Sequence, residues 1–234
     1  MTTLPIPTRD GHTFDAYRAD PASGSELLAG VVVVQEIFGV NEHIRSVADR
    51  FASAGFVAVA PALFDRVEPG IELGYDEAGM NRGREVAWET MTIDDAITDI
   101  GATADLLAGE LAGADRVAVV GFCYGGMLAC AAAARIHTRI GAAVAYYPSL
   151  AAQLLPDDRV EAPLLIHLGD LDQRVTISDG ETLAARWPGA EVFRYPAGHG
   201  FNCDLRPGFD AAASATAWDR TLAFLDQYLD TRSP

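Results

Sequence analysis

VVGFCYGGML, residues 119–128, decides how this chain is read. An aliphatic run meets a G-x-C-x-G core and then small residues, the pattern of a strand turning sharply into a helix. In the G-x-S-x-G form of that turn a serine projects above the sheet; here the position belongs to Cys123. Gly121 and Gly125 flank it, because side chains there would collide with the strand and the helix. A sulfur so placed stands at a helix N-terminus, where orphan N–H groups and the helix dipole favour an anion. The bland alternative is a buried thiol acting as a small hydrophobe, the reading given to Cys130 and Cys203. A dinucleotide-binding turn is rejected, since G-x-G-x-x-G would need glycine at position 123.

Working outward, short aliphatic runs alternate with longer amphipathic ones. Strands are expected at Ala29 to Gln35, Phe56 to Ala60, Arg116 to Val120, Ala142 to Tyr146, Pro163 to Leu168 and Glu191 to Tyr195. They lack polar alternation, as parallel strands covered on both faces do. Helices are expected at Glu42 to Ala54, Asp94 to Leu111, Met127 to Arg135, Ser178 to Arg186 and Asp210 to Leu229. Asn41 reads as the first N-cap and Gly55 as its terminator. The alternation predicts one α/β domain over residues 1–234, a mostly parallel doubly wound sheet with helices on both faces. Ligands then bind at the carboxyl ends of the strands. Thr13 to Arg18 adds an antiparallel edge strand, and Pro61 to Arg82 reads as a loop over one end of the sheet.

Half of the 234 residues are apolar, enough for one core burying roughly 70–75% of the unfolded surface. The net charge is −16, and every basic residue is arginine. So acidic a surface repels phosphate backbones and anionic membranes, which argues against nucleic-acid and membrane partners. The polar N-terminus carries no apolar signal segment, and Val31 to Val34 is too short to span a bilayer. Three cysteines without a C-x-x-C pair fit reduced thiols in a cytoplasm.

A nucleophile turn calls for an acid and then a histidine further along the chain, each just past a strand. GDLDQRV, 169–175, supplies Asp170 and Asp172; PAGHGF, 196–201, supplies His199 between glycines. Asp172 is preferred as the acid and Asp170 as a turn residue. His167 lies inside an apolar strand, and His12, His43 and His137 fall outside the order or read as surface positions. Glu36 ends the first long strand facing the same crevice. The N–H groups of Ile37 and Tyr124 are positioned to hold an oxyanion.

DGHTF at 10–14, QEIFGVN at 35–41, G-x-C-x-G-G at 121–126 and AGHGF at 197–201 together resemble the dienelactone hydrolase family of the α/β-hydrolase fold. The resemblance spans nearly the whole chain. It implies a Cys123, Asp172 and His199 triad, with Glu36 contacting the resting thiol and the Ile37 and Tyr124 amides forming the oxyanion hole. It further implies enol-lactone opening, dienelactone to maleylacetate in the most specific case (carboxymethylenebutenolidase), with no metal or organic cofactor. Family members acting on dienelactone hold its carboxylate with arginines before the turn and after the histidine. Here Cys203 stands four beyond His199, where the arginine is expected; Arg206 is the nearest alternative, and Arg82 and Arg84 are both open before the turn. Three functions remain in play: an enol-lactone hydrolase, a broader esterase or thioesterase whose substrate lacks a carboxylate, and a non-catalytic binding protein on the same scaffold. Monomer and homodimer both stay open.

Overall fold

The computed structural model of the protein describes residues 2–23 and 29–229. Eight strands form one sheet: β1 Thr2–Pro7, β2 Thr13–Ala19, β3 Gly30–Val34, β4 Val57–Pro61, β5 Val117–Phe122, β6 Ala142–Tyr146, β7 Leu164–Gly169 and β8 Glu191–Tyr195. Their order is β1-β2-β4-β3-β5-β6-β7-β8, antiparallel at β1/β2 and β2/β4 and parallel from there on. This is the expected mostly parallel α/β sheet.

The tetravaline run explains how both faces close. Val31 and Val33 pack into one core with Ile44, Val47 and Phe51 of α1 (Glu42–Ser53) and Phe224 of α7 (Ala211–Tyr228). Val32 and Val34 pack into the other, with Ile100 and Leu107 of α3 (Ile93–Leu111) and Met127 of α4 (Tyr124–Arg135). Alternate residues of a strand point to opposite faces, so an all-apolar run needs helices on both. Side-chain caps fix where these helices begin: Asn41 accepts from Ile44 N–H, Thr92 from Asp95 N–H and Asp210 from Ala213 N–H.

Two expectations change. Thr13–Ala19 is not the sheet edge, because β1 pairs outside it; Pro5, which donates nothing to a ladder, is tolerated on that outermost strand. Within 61–82, read as loop, Leu63–Arg66 forms a 3₁₀ turn and α2 runs from Glu77 to Arg84, continuing as a π turn over Glu85–Thr90. Gly79 and Gly83 weaken helix propensity there, which hid the element. The structure needs a glycine at 83, since a Cβ would come within 2.2 Å of the Ile37 carbonyl oxygen. Further along the chain, α5, Ala151–Leu154, is a single short turn of helix, and α6 begins at Ile177 and ends at Arg186 behind a Thr176/Asp179 capping box.

His167 sits inside β7, fully buried, with Nδ1 bonded to Tyr195 Oη (2.8 Å) and Nε2 to Thr221 Oγ1 (3.0 Å). Burial, aided by the Arg220 charge, pushes its pKa down to about 3 from 6.5. The unfolded chain therefore takes up this proton first as pH falls. The contribution to stability is complete above pH 6.5 and is lost progressively towards pH 3. His167→Gln is expected to flatten that decline, at a cost of about 1–3 kcal/mol at neutral pH, as read from urea midpoints across the range.

Candidate active site

Glu36, Cys123, Asp172 and His199 each lie just past the carboxyl end of a parallel strand, β3, β5, β7 and β8 respectively. Cys123 follows β5 directly and is the N-cap of α4, with φ 56° and ψ −109°. A left-handed backbone at a residue with a Cβ costs of order 1–3 kcal/mol and persists only where the surroundings enforce it. Here Cys123 N–H donates to the Tyr146 carbonyl (3.0 Å) and its own carbonyl accepts from Met127 and Ser149 N–H (3.2 and 3.1 Å). The glycines do what the sequence required of them: a Cβ on Gly121 would come within 1.9 Å of the Gly125 oxygen, and one on Gly125 within 2.4 Å of the Val34 oxygen.

Asp172 and His199 lie on the loops after β7 and β8, which Asp170 N–H to Tyr195 O (2.7 Å) and Leu171 N–H to Ala197 O (3.0 Å) hold together. His199 Nδ1 is 2.8 Å from Asp172 Oδ2. The other carboxylate oxygen, Oδ1, accepts from the Arg174 and Val175 amides (2.7 and 3.1 Å). Asp172 is thus bonded on both oxygens. Asp170 pairs with Arg194 at the surface, in keeping with a turn role. His199 Nε2 is buried and makes no hydrogen bond of ordinary geometry, and it shares a cavity with Cys123. Burial works against charging this ring, but the Cys123 thiolate and the Asp172 carboxylate beside it outweigh burial and raise its pKa to about 9. His43, set aside as outside the order or at the surface, is buried and bonded through Nδ1 to Asp204.

That cavity has a volume of about 310 Å³, with Ile37, Phe38, Met80, Trp88 and Leu150 among its walls and Arg84, Arg174 and Arg206 as its cations. A larger cleft of about 780 Å³ lies between residues 156–163 and 186–190, but it contains neither cysteine nor histidine. The chemistry assigns the site to the smaller one. Tyr146 and Tyr147, at the end of β6, are fully buried core residues. Among the described residues, no group of three or more His, Cys, Asp or Glu is placed to hold a metal ion.

One sequence expectation changes here, and one open choice is narrowed. Glu36 makes no hydrogen bond to the thiol: its Oε1 accepts from Arg206 Nη1 (3.1 Å), and its buried Oε2 has no hydrogen-bond partner. Cys123 Sγ lies instead 3.3 Å from Ser149 Oγ. Arg82 is not in the cavity; it pairs with Glu68 and Glu85 (both 3.0 Å), while Arg84 lines the site. Two residues apart on a helix means about 200° of rotation, so only one of them can face the crevice. Arg206 crosses behind Glu36, its guanidinium 5.6 Å from the centres of both the Phe38 and Tyr75 rings. Ser149 and Arg174 were not foreseen. Arg174 follows Asp172 by two positions in the acid loop, which was signal enough; nothing around Ser149 in YYPS marks it out.

A family model for the dienelactone hydrolase family matches residues 14–229. The chain belongs to the dienelactone hydrolase family. Its relatives include carboxymethylenebutenolidase from Pseudomonas putida, 31% identical over 227 residues and covering 95% of this chain and 94% of that one. A Synechocystis protein described as a candidate carboxymethylenebutenolidase is 32% identical over 234 residues, 94% of each chain. Among solved structures, a candidate dienelactone hydrolase from Klebsiella pneumoniae superposes with a TM-score of 0.84 at 30% identity, covering 97% of this chain and 98% of that one. Membership of the dienelactone hydrolase family makes the chain a hydrolase with an α/β-hydrolase fold, acting on a small molecule. No helix among the described residues is long and apolar enough to cross a membrane.

Proposed function

We propose that this hydrolase opens enol-lactones or activated carboxylic esters through a thioester on Cys123, with dienelactone to maleylacetate as the most specific form of the reaction. One observation carries the reading: a carboxylate 2.8 Å from one nitrogen of an imidazole whose other nitrogen shares a cavity with a thiol at a strained turn. His199, whose pKa is raised to about 9, takes the thiol proton as the sulfur attacks. Its attack on the ester carbon makes an oxyanion, for which the Ile37 and Tyr124 N–H groups are the donors; Tyr124 is the first residue of α4, so its amide has no acceptor within the helix.

Collapse of that adduct breaks the C–O bond. A thiolate is itself a good leaving group, with a reference pKa of about 8.5, so a simple alkyl ester returns to substrate while a delocalised enolate can depart. Acylation also removes the negative sulfur that helped to keep His199 charged. Burial then favours the neutral imidazole, the form needed to take a proton from the water that cleaves the thioester. The test is an acid quench during turnover of p-nitrophenyl acetate, followed by mass analysis of the peptide bearing Cys123. One acetyl group on that peptide is expected; steady turnover with none would sink the covalent route.

A carboxylate on the substrate would meet Arg84 and Arg174. Neither has a side-chain partner among the described residues, whereas the charge of Arg206 is already matched by Glu36. Replacing Arg84 or Arg174 with alanine is expected to raise KM for an anionic lactone roughly tenfold, charge-assisted bonds being worth about 1.5–3 kcal/mol. KM for a neutral ester should hold, and Arg82→Ala should change neither. If neutral esters suffer equally, the second reading, a broader esterase served by the apolar Phe38, Met80 and Trp88 walls, is the better one.

A further inference from the structure

We propose that Ser149 is a catalytic residue of this site: its hydroxyl accepts a hydrogen bond from the resting Cys123 thiol and donates one to the thiolate. The contact is direct, Sγ to Oγ at 3.3 Å, and both residues are buried at the floor of the cavity. It is also built rather than incidental. Two backbone bonds lock the serine's segment to the cysteine, Cys123 N–H to Tyr146 O (3.0 Å) and Ser149 N–H to Cys123 O (3.1 Å). On either side of the serine the chain takes up left-handed backbone, at Tyr147 (φ 37°) and Leu150 (φ 60°). Strain of that kind persists only where surrounding contacts enforce it. Tyr147 N–H is tied in turn to His167 O (2.8 Å), so the segment is anchored to β7 as well as to the turn.

The chemistry follows from what a hydroxyl can do. It carries one donor and two acceptor lone pairs and rotates freely about its C–O bond. While sulfur is protonated, S–H donates to Ser149 Oγ. When that proton moves to His199 Nε2, the serine O–H turns to face the negative sulfur; the serine keeps its own proton throughout. The thiolate then has a fixed donor that neither substrate binding nor the departing leaving group disturbs. Glu36, whose one bonded oxygen faces Arg206, leaves this place to the serine.

The proposal rests on Cys123 being the reactive thiol, and its test avoids turnover altogether. The rate of Cys123 alkylation by iodoacetamide is measured against pH in the wild type and in Ser149→Ala, Ser149→Gly and Ser149→Thr. Loss of a hydrogen bond to a charged group is expected to move the alkylation midpoint up by about one pH unit in Ala and Gly, and to slow alkylation several-fold at neutral pH. Thr, which keeps the hydroxyl, should track the wild type. A folded Ala or Gly variant with an unmoved midpoint overturns the proposal, as does a Thr variant displaced as far as Ala, which would reduce Ser149 to packing. Because alkylation needs no substrate, an ester hydrolysis that survives Cys123→Ala would defeat the proposed function and leave the serine effect readable.

Discussion

Cys123→Ala is expected to reduce hydrolysis of activated esters by about 10⁴- to 10⁶-fold in kcat, with the fold intact. Alanine keeps the Cβ, so the left-handed turn at φ 56° and its backbone bonds to Tyr146 and Ser149 are as well supported as before. What disappears is the sulfur alone. Cys123→Ser is the more informative partner. A serine hydroxyl must be deprotonated during attack, and its alkoxide is a far poorer leaving group than a thiolate. Rates on enol and aryl esters should therefore fall, while the bias against alkyl esters shrinks. Steady-state kinetics on a matched aryl and alkyl ester pair reads both effects. Unchanged turnover in both variants would remove Cys123 from the chemistry.

Asp172→Asn is expected to cost about 10⁴-fold in kcat, although it changes a single atom type. The reason lies in the two amides that approach Oδ1 from Arg174 and Val175. They fix the asparagine oxygen on their side, which turns its NH₂ towards His199 Nδ1. That nitrogen must then accept, so the proton sits on Nε2, facing Cys123, and the ring can no longer take the thiol proton. Iodoacetamide alkylation at neutral pH should drop in parallel with kcat. A variant that loses turnover but alkylates at the wild-type rate would mean that Asp172 acts only after acylation.

How much of this could be read from the sequence depended on how local the cause was. The four-valine strand, the helix caps at Asn41 and the glycines around Cys123 are short-range devices, and the structure uses them as written. The order of Cys123, Asp172 and His199 was readable because each sits one loop beyond a strand whose apolar run is unmistakable. Helix α2 was hidden because its support is tertiary: Gly83 looks like a helix breaker until the Ile37 carbonyl is seen pressed against it. Once that helix is missing, Arg82 and Arg84 cannot be told apart. The Ser149 contact depends on a segment bent by two left-handed residues, Tyr147 and Leu150, neither a glycine and neither predictable from composition. The neighbour of Glu36 was out of reach of any local reading, because it is Arg206, 170 residues downstream.

That distance has a consequence for biosynthesis. Three side-chain bonds spanning more than a hundred residues tie positions 203–206 back to the first third of the chain: Arg206 to Glu36, Asp204 to His43 and Cys203 to Tyr75. Closing a loop of that length costs of order 4 kcal/mol in chain entropy before any bond repays it. A nascent polypeptide emerging from the ribosome can lay down most of its ladder pairs while the crevice still lacks one wall. The thiol at position 123 is thus synthesised before the segment whose Arg206 helps to wall its crevice.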